Sequence, residues 1–309
     1  MFAHIDYHCQ TNVRDDPEAG FTRLGTTGGS IMTIVDTHLH IIDLAKLDYP
    51  WLGEAPRLHK DHLYETYAAE AQRLGITDVL HMEVDVAEAE IEAETAMVKA
   101  VAAQPGCLIR GAISACRPED PAFPAFVERF AGNGFVKGFR RILHTQPDAL
   151  SEAALFRTNL RRLSGTGLSF DICALPHQID RAIALVDLAP DVFFILDHCG
   201  VPAVKDRAVH PWAEGITEIA RRPNVAVKIS GVVAYGADEW TVEDLRPFVT
   251  HAIESFGWDR VVWGSDWPVC TLTANLTRWV EATHQLIAGA SEGEKTRLLQ
   301  GNARRIYRI

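Results

Sequence analysis

Two histidines one residue apart, His38 and His40, end the apolar run Ile34-Val35-Asp36-Thr37-His38-Leu39-His40. Side chains alternate along a β-strand, so Asp36, His38 and His40 are expected on one face and Val35, Thr37 and Leu39 on the other. Two imidazoles leaving a strand side by side suit a divalent metal, because neutral imidazole nitrogen is its commonest protein ligand. In a chain with thirteen histidines an isolated HxH can also arise by chance. Later stretches decide the matter. Leu196-Asp197-His198-Cys199-Gly200 and Gly264-Ser265-Asp266-Trp267-Pro268 each end an apolar run in ionisable residues. Trp267-Pro268 should stop the strand and hold the Asp266 carboxylate at its rim, either for catalysis or to cap the next helix. Strand alternation sets Asp197 opposite to His198, which makes it a poor partner for that histidine. Glu83 and Lys228 end two further runs; Lys228 is expected to pair with Asp266 or to hold a substrate oxygen. Arg140 and Arg141 are strand neighbours, so only one can point inward.

The elements that must carry these groups alternate along the chain. Apolar or β-branched runs fall at residues 34–40, 78–84, 107–115, 135–143, 168–175, 192–199, 225–230 and 260–266. Between them, stretches with helical spacing fall at 62–74, 87–103, 123–130, 155–163, 179–188, 212–220, 245–256 and 276–287. The first places Leu63, Tyr67, Ala71 and Leu74 on one stripe; the seventh does so with Leu245, Val249, Ala252 and Phe256. Gly75, Gly165 and Gly257 follow helical segments, where a C-terminal cap is expected. Eight strand–helix units without a linker predict a (β/α)8 TIM barrel, with a doubly wound sheet as the weaker alternative. A last helix over 292–307 is expected on the outside. Residues 1–31 are polar and aperiodic and read as a loosely ordered extension, with the barrel spanning 32–309.

In such a barrel the reactive side chains gather at the C-terminal ends of the strands, which is where His38, His40, Glu83, His198, Lys228 and Asp266 fall. A charge left unpaired there costs several kcal/mol, so partners or a ligand must compensate. Trp51 and Tyr49 lie in the loop after the first strand, where aromatic faces can stack on a sugar or simply pack as a lid. His177, after Pro176, is the polar candidate from the fifth loop. His59, His62, His144, His210, His251 and His284 fall in loops or helices and read as surface residues.

Composition bounds the partners. A net charge of −11 and a pI near 5.6 argue against nucleic acid or an anionic membrane surface. No apolar run is long enough to span a bilayer, and no signal-peptide core is visible. The six cysteines form no CxxC pair and read as reduced, buried thiols in a cytoplasmic protein. The composition leaves a homo-oligomer open.

Val35-Asp36-Thr37-His38-Leu39-His40, Tyr49-Pro50-Trp51-Leu52, Lys137-Gly138-Phe139-Arg140, Leu196-Asp197-His198-Cys199-Gly200, Val227-Lys228-Ile229-Ser230-Gly231 and Gly264-Ser265-Asp266-Trp267-Pro268 occur in order, followed by Gly301-Asn302-Ala303-Arg304-Arg305-Ile306-Tyr307. Together they resemble the amidohydrolase superfamily, and within it the amidohydrolase-related lactonase group, which includes sugar and pyrone-dicarboxylate lactonases. The resemblance runs from about Thr33 to the end. It implies hydrolysis of a small lactone, most simply a sugar-acid lactone of carbohydrate breakdown, with Asp266 as general base. It implies His38, His40, His198 and Asp266 as the ligand set of a divalent metal that polarises the carbonyl. His198 and Lys228 are then catalytic candidates, and Arg140, Glu83, Trp51 and His177 substrate-binding ones, with Arg140 gripping a carboxylate or hydroxyl and Arg141 left for an outer ion pair. The fifth run lacks the histidine and bridging lysine of two-metal members, so the expectation is one ion, zinc or manganese, or none, since some relatives work without metal. Two rivals stay open: a metal-dependent decarboxylase of an aromatic or unsaturated acid, and a barrel that binds a sugar acid without turnover.

Overall fold

Each of the eight apolar runs forms a parallel strand, as buried β-branched segments joined by helices should. A computed structural model describes residues 32–309, and the extension expected over 1–31 lies outside the described residues. The strands are β1 (Ile34–Leu39), β2 (Ile76–Met82), β3 (Ile109–Ala115), β4 (Val136–Ile142), β5 (Ser169–Cys173), β6 (Phe194–Leu196), β7 (Val225–Ile229) and β8 (Val261–Trp263). They pair in sequence order. The ring closes from β8 to β1: Leu39 bridges Trp267, the Asp266 amide donates to His38 O at 2.9 Å and the His40 amide to Trp267 O at 2.8 Å. This is the expected (β/α)8 barrel.

The crossovers are helices α1 (Tyr64–Ala71), α2 (Ile91–Ala102), α3 (Phe123–Phe130), α4 (Ala154–Leu160), α5 (Ile179–Leu188), α6 (Trp212–Ile219) and α7 (Val242–Phe256), with α8 (Leu276–Leu286) after β8. Their apolar stripes meet the outward strand residues. Phe139 of β4 packs against Phe123, Phe126 and Phe130 of α3, a burial worth ~1.5–3 kcal/mol for that ring. In α7 the expected stripe Leu245, Val249, Ala252 and Phe256 is wholly buried. Leu63 departs from its stripe: the helix starts one residue later, and Leu63 is exposed. Gly75, Gly165 and Gly257 all have positive φ, as the cap reading requires. The five cysteines within the described residues are buried and unpaired. Among the described residues no helix is long and apolar enough to cross a membrane.

The C-terminal segment differs from expectation. It ends in α9 (Asn302–Tyr307), whose Ala303 and Tyr307 are buried among Val35, Leu80, Met82, Ile113, Ile195 and Val262. These are inward residues of five strands, and Arg304 of α9 pairs with Asp78 near the start of β2, so α9 plugs the barrel from below. Fully buried Tyr307 also donates from its hydroxyl to Asp171 Oδ2 at 3.3 Å.

Candidate active site

Strict alternation fails in β1, and the failure shapes the site. A register irregularity lies between Asp36 and Leu39. Val35 faces the interior apolar plug, whereas Asp36 turns to α1, where Tyr67 donates to its Oδ2 at 2.6 Å. Its Oδ1 accepts the amides of His38 at 3.0 Å and Ser265 at 2.8 Å. Asp36 therefore staples β1 to the end of β8 and does not share the face of His38 and His40. Gly264 permits this close approach: a Cβ there would stand 2.7 Å from the Cβ of His38.

The β6 and β8 runs also end earlier than their apolar character suggests. After Leu196 the chain leaves the strand, and His198, Cys199 and Val201 take φ of 54°, 52° and 50°. Non-glycine residues in that region cost on the order of 1–3 kcal/mol each and cluster at functional sites. The turn overturns the expectation that Asp197 and His198 point apart. Both are buried against the same site, and His38 lies within 4.8 Å of both through candidate ligand atoms. Gly231 makes room for the turn, since a Cβ there would meet His198 Nδ1 at 2.6 Å. Asp266 has φ of 57° just beyond β8.

These backbone features bring the four principal candidates together. Asp266 Oδ1 lies 3.4 Å from His40 Nε2 and 3.6 Å from His38 Nε2, and its Oδ2 lies 3.8 Å from His198 Nδ1. His40 Nδ1 is 3.0 Å from Met82 O; a carbonyl only accepts, so Nδ1 carries the proton and Nε2 is left as a lone pair. His198 Nδ1 is 3.0 Å from Ser230 Oγ. Burial, reinforced by the nearby Lys228 ammonium, holds His38 far below the usual histidine range. Burial lowers His198 as well, though Asp266 and Asp197 oppose it. Both imidazoles are neutral at physiological pH, the form that ligates metal.

A cleft enclosing about 750 Å³, its open mouth included, sits above this floor. His40, Arg140, His198 and Asp266 line it, with Ile42, Leu58, Val84, Ile142 and Val269 as apolar walls. Trp51 also lines it, held by its indole N–H donating to Val84 O at 2.7 Å. Tyr49 is buried and accepts the Asp43 amide, away from the cleft. Arg140 reaches the cleft but is already engaged: its Nε donates to Glu83 Oε1 at 2.6 Å and its Nη2 to Glu83 O at 2.7 Å. Its Nη1 lies 3.3 Å from His38 Nε2 and 3.5 Å from Asp197 Oδ2. Glu83 is therefore the partner of Arg140, and burial, which would raise its carboxyl, is outweighed by that guanidinium. Arg141 faces out to Glu119 at 2.6 Å, as expected.

Two further expectations are corrected. Lys228 pairs with Asp171 at 2.7 Å and Asp197 at 2.9 Å, not with Asp266, and lies fully buried beneath the cleft. His177 sits in an exposed turn, 3.6 Å from Asp148, and does not line the cleft. Three residues of the site lie outside the expectations from sequence. His144 lines the cleft with its Nδ1 buried and unpartnered; burial, with His198 and Arg140 nearby, lowers it to about 3. Its signal was available, because it continues the inward period of Arg140 and Ile142. Asp171, a carboxylate inside an apolar strand, was equally visible. Tyr235 lines the cleft from a loop with no periodic signal.

Comparison with known proteins fits this geometry. The model of the Amidohydrolase family matches residues 35–309. The chain belongs to that family. As an amidohydrolase it is a hydrolase, and its relatives include an L-fucono-1,5-lactonase of Burkholderia multivorans, 28% identical over 89% of this chain and 96% of that one. An L-rhamnono-gamma-lactonase of Scheffersomyces stipitis is 23% identical over 56% of this amidohydrolase and 59% of its own length. A solved amidohydrolase from Burkholderia multivorans with bound zinc superposes with a TM-score of 0.81 at 25% identity, over 90% of this chain and 99% of that one.

Proposed function

We propose that this amidohydrolase opens the ester of a neutral sugar-acid lactone, with Asp266 as general base. The observation that carries the reading is the convergence of Asp266 with His38, His40 and His198 within 3.8 Å at the floor of the cleft. Asp266 would take a proton from the attacking water, and after the acyl C–O bond breaks it would return that proton to the departing ring oxygen. The product is a hydroxy acid. His40 and His198, both lining the cleft, orient the carbonyl against Asp266.

The donor set also fits one divalent ion on His38, His40 and Asp266. Tetrahedral zinc with ~2.0–2.1 Å bonds needs ligand atoms about 3.3–3.4 Å apart, close to the 3.4 and 3.6 Å found here. Such an ion supplies Lewis-acid polarisation of the lactone carbonyl. The zinc of the Burkholderia multivorans structure supports this choice of metal.

Neutrality of the substrate follows from the cations. Among the described residues Arg140 is the one arginine or lysine lining the cleft, and its donors are committed to Glu83 and Asp197. A carboxylate-bearing substrate would find no unengaged cation there among the described residues, whereas the apolar walls and Trp51 suit the C–H face of a sugar ring. The names of the lactonase relatives support the same class.

The test is acid release, read with a pH indicator, from L-fucono-1,5-lactone and L-rhamnono-gamma-lactone against 2-pyrone-4,6-dicarboxylate, with and without chelator. Sugar-lactone opening without dicarboxylate opening is expected. Turnover of the dicarboxylate, or of an aromatic acid with release of carbon dioxide, in the absence of any sugar-lactone opening would overturn the reading.

A further inference from the structure

His38 belongs to two groups of ligand-type side chains, one with His40 and Asp266 and one with Asp197 and His198. The two groups meet different surroundings. On the first side, Asp266 ion-pairs only with histidines among the described residues. On the second side stands the ammonium of Lys228, fully buried, 2.9 Å from Asp197 Oδ1, 2.7 Å from Asp171 Oδ2 and 3.3 Å from His38 Nδ1. Two buried carboxylates are thus already neutralised by a desolvated cation.

We infer that Lys228 stands as a built-in cation against the second ligand group, and so limits this site to one ion on the Asp266 side. The inference rests on the reading of these histidines and aspartates as cation ligands. Its reasoning is electrostatic. A divalent ion at the Asp197 group would lie within a few Å of the ammonium, and like charges that close in a buried site repel by several kcal/mol. The ammonium is secured in turn by two fully buried carboxylates, Asp171 at 2.7 Å and Asp197 at 2.9 Å. Tyr307, rising from the C-terminal plug, donates to the same Asp171 oxygen, which ties the position of the cation to the floor of the barrel. Lys228 is thus a positioning residue with an electrostatic task, not a group that touches substrate.

Elemental analysis of the full chain, loaded with Zn²⁺ or Mn²⁺ and desalted, tests this directly. The wild-type protein should hold no more than one ion per chain. Lys228→Met combined with Asp171→Asn, which removes the cation and one of its counter-charges together, should hold one ion more than wild type. Asp266→Asn should lose the wild-type ion and Asp197→Asn should keep it. If circular dichroism shows the double variant unfolded, Lys228→Gln, which retains a donor to Asp171, carries the same comparison. Two ions in the wild type, or a folded variant whose count equals that of wild type, would overturn the inference. A wild-type count of zero would instead defeat the metal reading of the Asp266 side, while the increment on removing Lys228 would still decide the role of that residue.

Discussion

Replacing Arg140 by methionine separates a structural arginine from one that grips substrate. The side chain is 4% exposed and Glu83 is 1% exposed, and two of its donors are spent on Glu83, at 2.6 and 2.7 Å. Removing one partner of a buried ion pair leaves an uncompensated charge and costs ~3–5 kcal/mol. Arg140→Met should therefore lower the unfolding free energy by that amount. Removing both charges, as Glu83→Leu with Arg140→Met, should cost much less than the sum of the single changes. A double-mutant cycle by urea unfolding, followed by tryptophan fluorescence, should return a coupling energy of at least ~2 kcal/mol. A free substrate-gripping arginine behaves otherwise: truncation would leave stability within ~0.5 kcal/mol, as for surface sites, and raise KM instead. That result would refute the committed-cation argument and reopen the carboxylate-bearing substrates.

Three further outcomes are expected. Asp266→Asn should keep the far-ultraviolet dichroism of the wild type while lowering kcat by ~10² or more, about 2.7 kcal/mol of barrier; undiminished turnover would remove Asp266 from the chemistry. His144 stays neutral in the folded chain down to about 3, whereas the unfolded chain takes up its proton near ~6.5. Stability is therefore lost as pH falls below the unfolded value, by about 1–2 kcal/mol between pH 7.5 and 5.0, and His144→Gln should remove that share of the slope in urea titrations at the two pH values. Trp51→Leu should raise KM for a sugar lactone about fivefold with kcat little changed, the loss of ~1 kcal/mol of ring contact; an unchanged KM would assign the indole to packing alone.

The barrel was legible because burial on both faces of a parallel sheet leaves a periodic mark on every strand and crossover. The floor of the site was legible for a related reason, since charged residues ending apolar strands have no packing explanation. What escaped was everything that depends on departures from period. Alternation through Asp36–Leu39 would group Asp36 with His38 and His40, but the register breaks there. A strand through residues 197–198 would set Asp197 and His198 apart, but the chain turns left-handed at His198. His144 follows Arg140 and Ile142 on the inward period after β4 has formally ended, where a loop position otherwise suggests the surface. Lys228 meets Asp171, a carboxylate inside an apolar strand, and not Asp266.

Those departures share one physical purpose. A regular barrel places one inward side chain every second residue on each strand, too sparsely and too far apart to bring a carboxylate within 4 Å of three imidazoles. The irregularity in β1, the left-handed turn after β6 and the positive φ of Asp266 each add an inward residue where the period would withhold one. Their strain, on the order of 1–3 kcal/mol per residue, must be met by packing beneath. The structure supplies that support in layers: α9 and the apolar plug at the bottom, then the Asp171–Lys228–Asp197 cluster, then the reactive floor. Loosening the plug should therefore disturb the site from below. Tyr307→Phe, which deletes only the hydroxyl donated to Asp171, is the least invasive way to see whether that support reaches the chemistry.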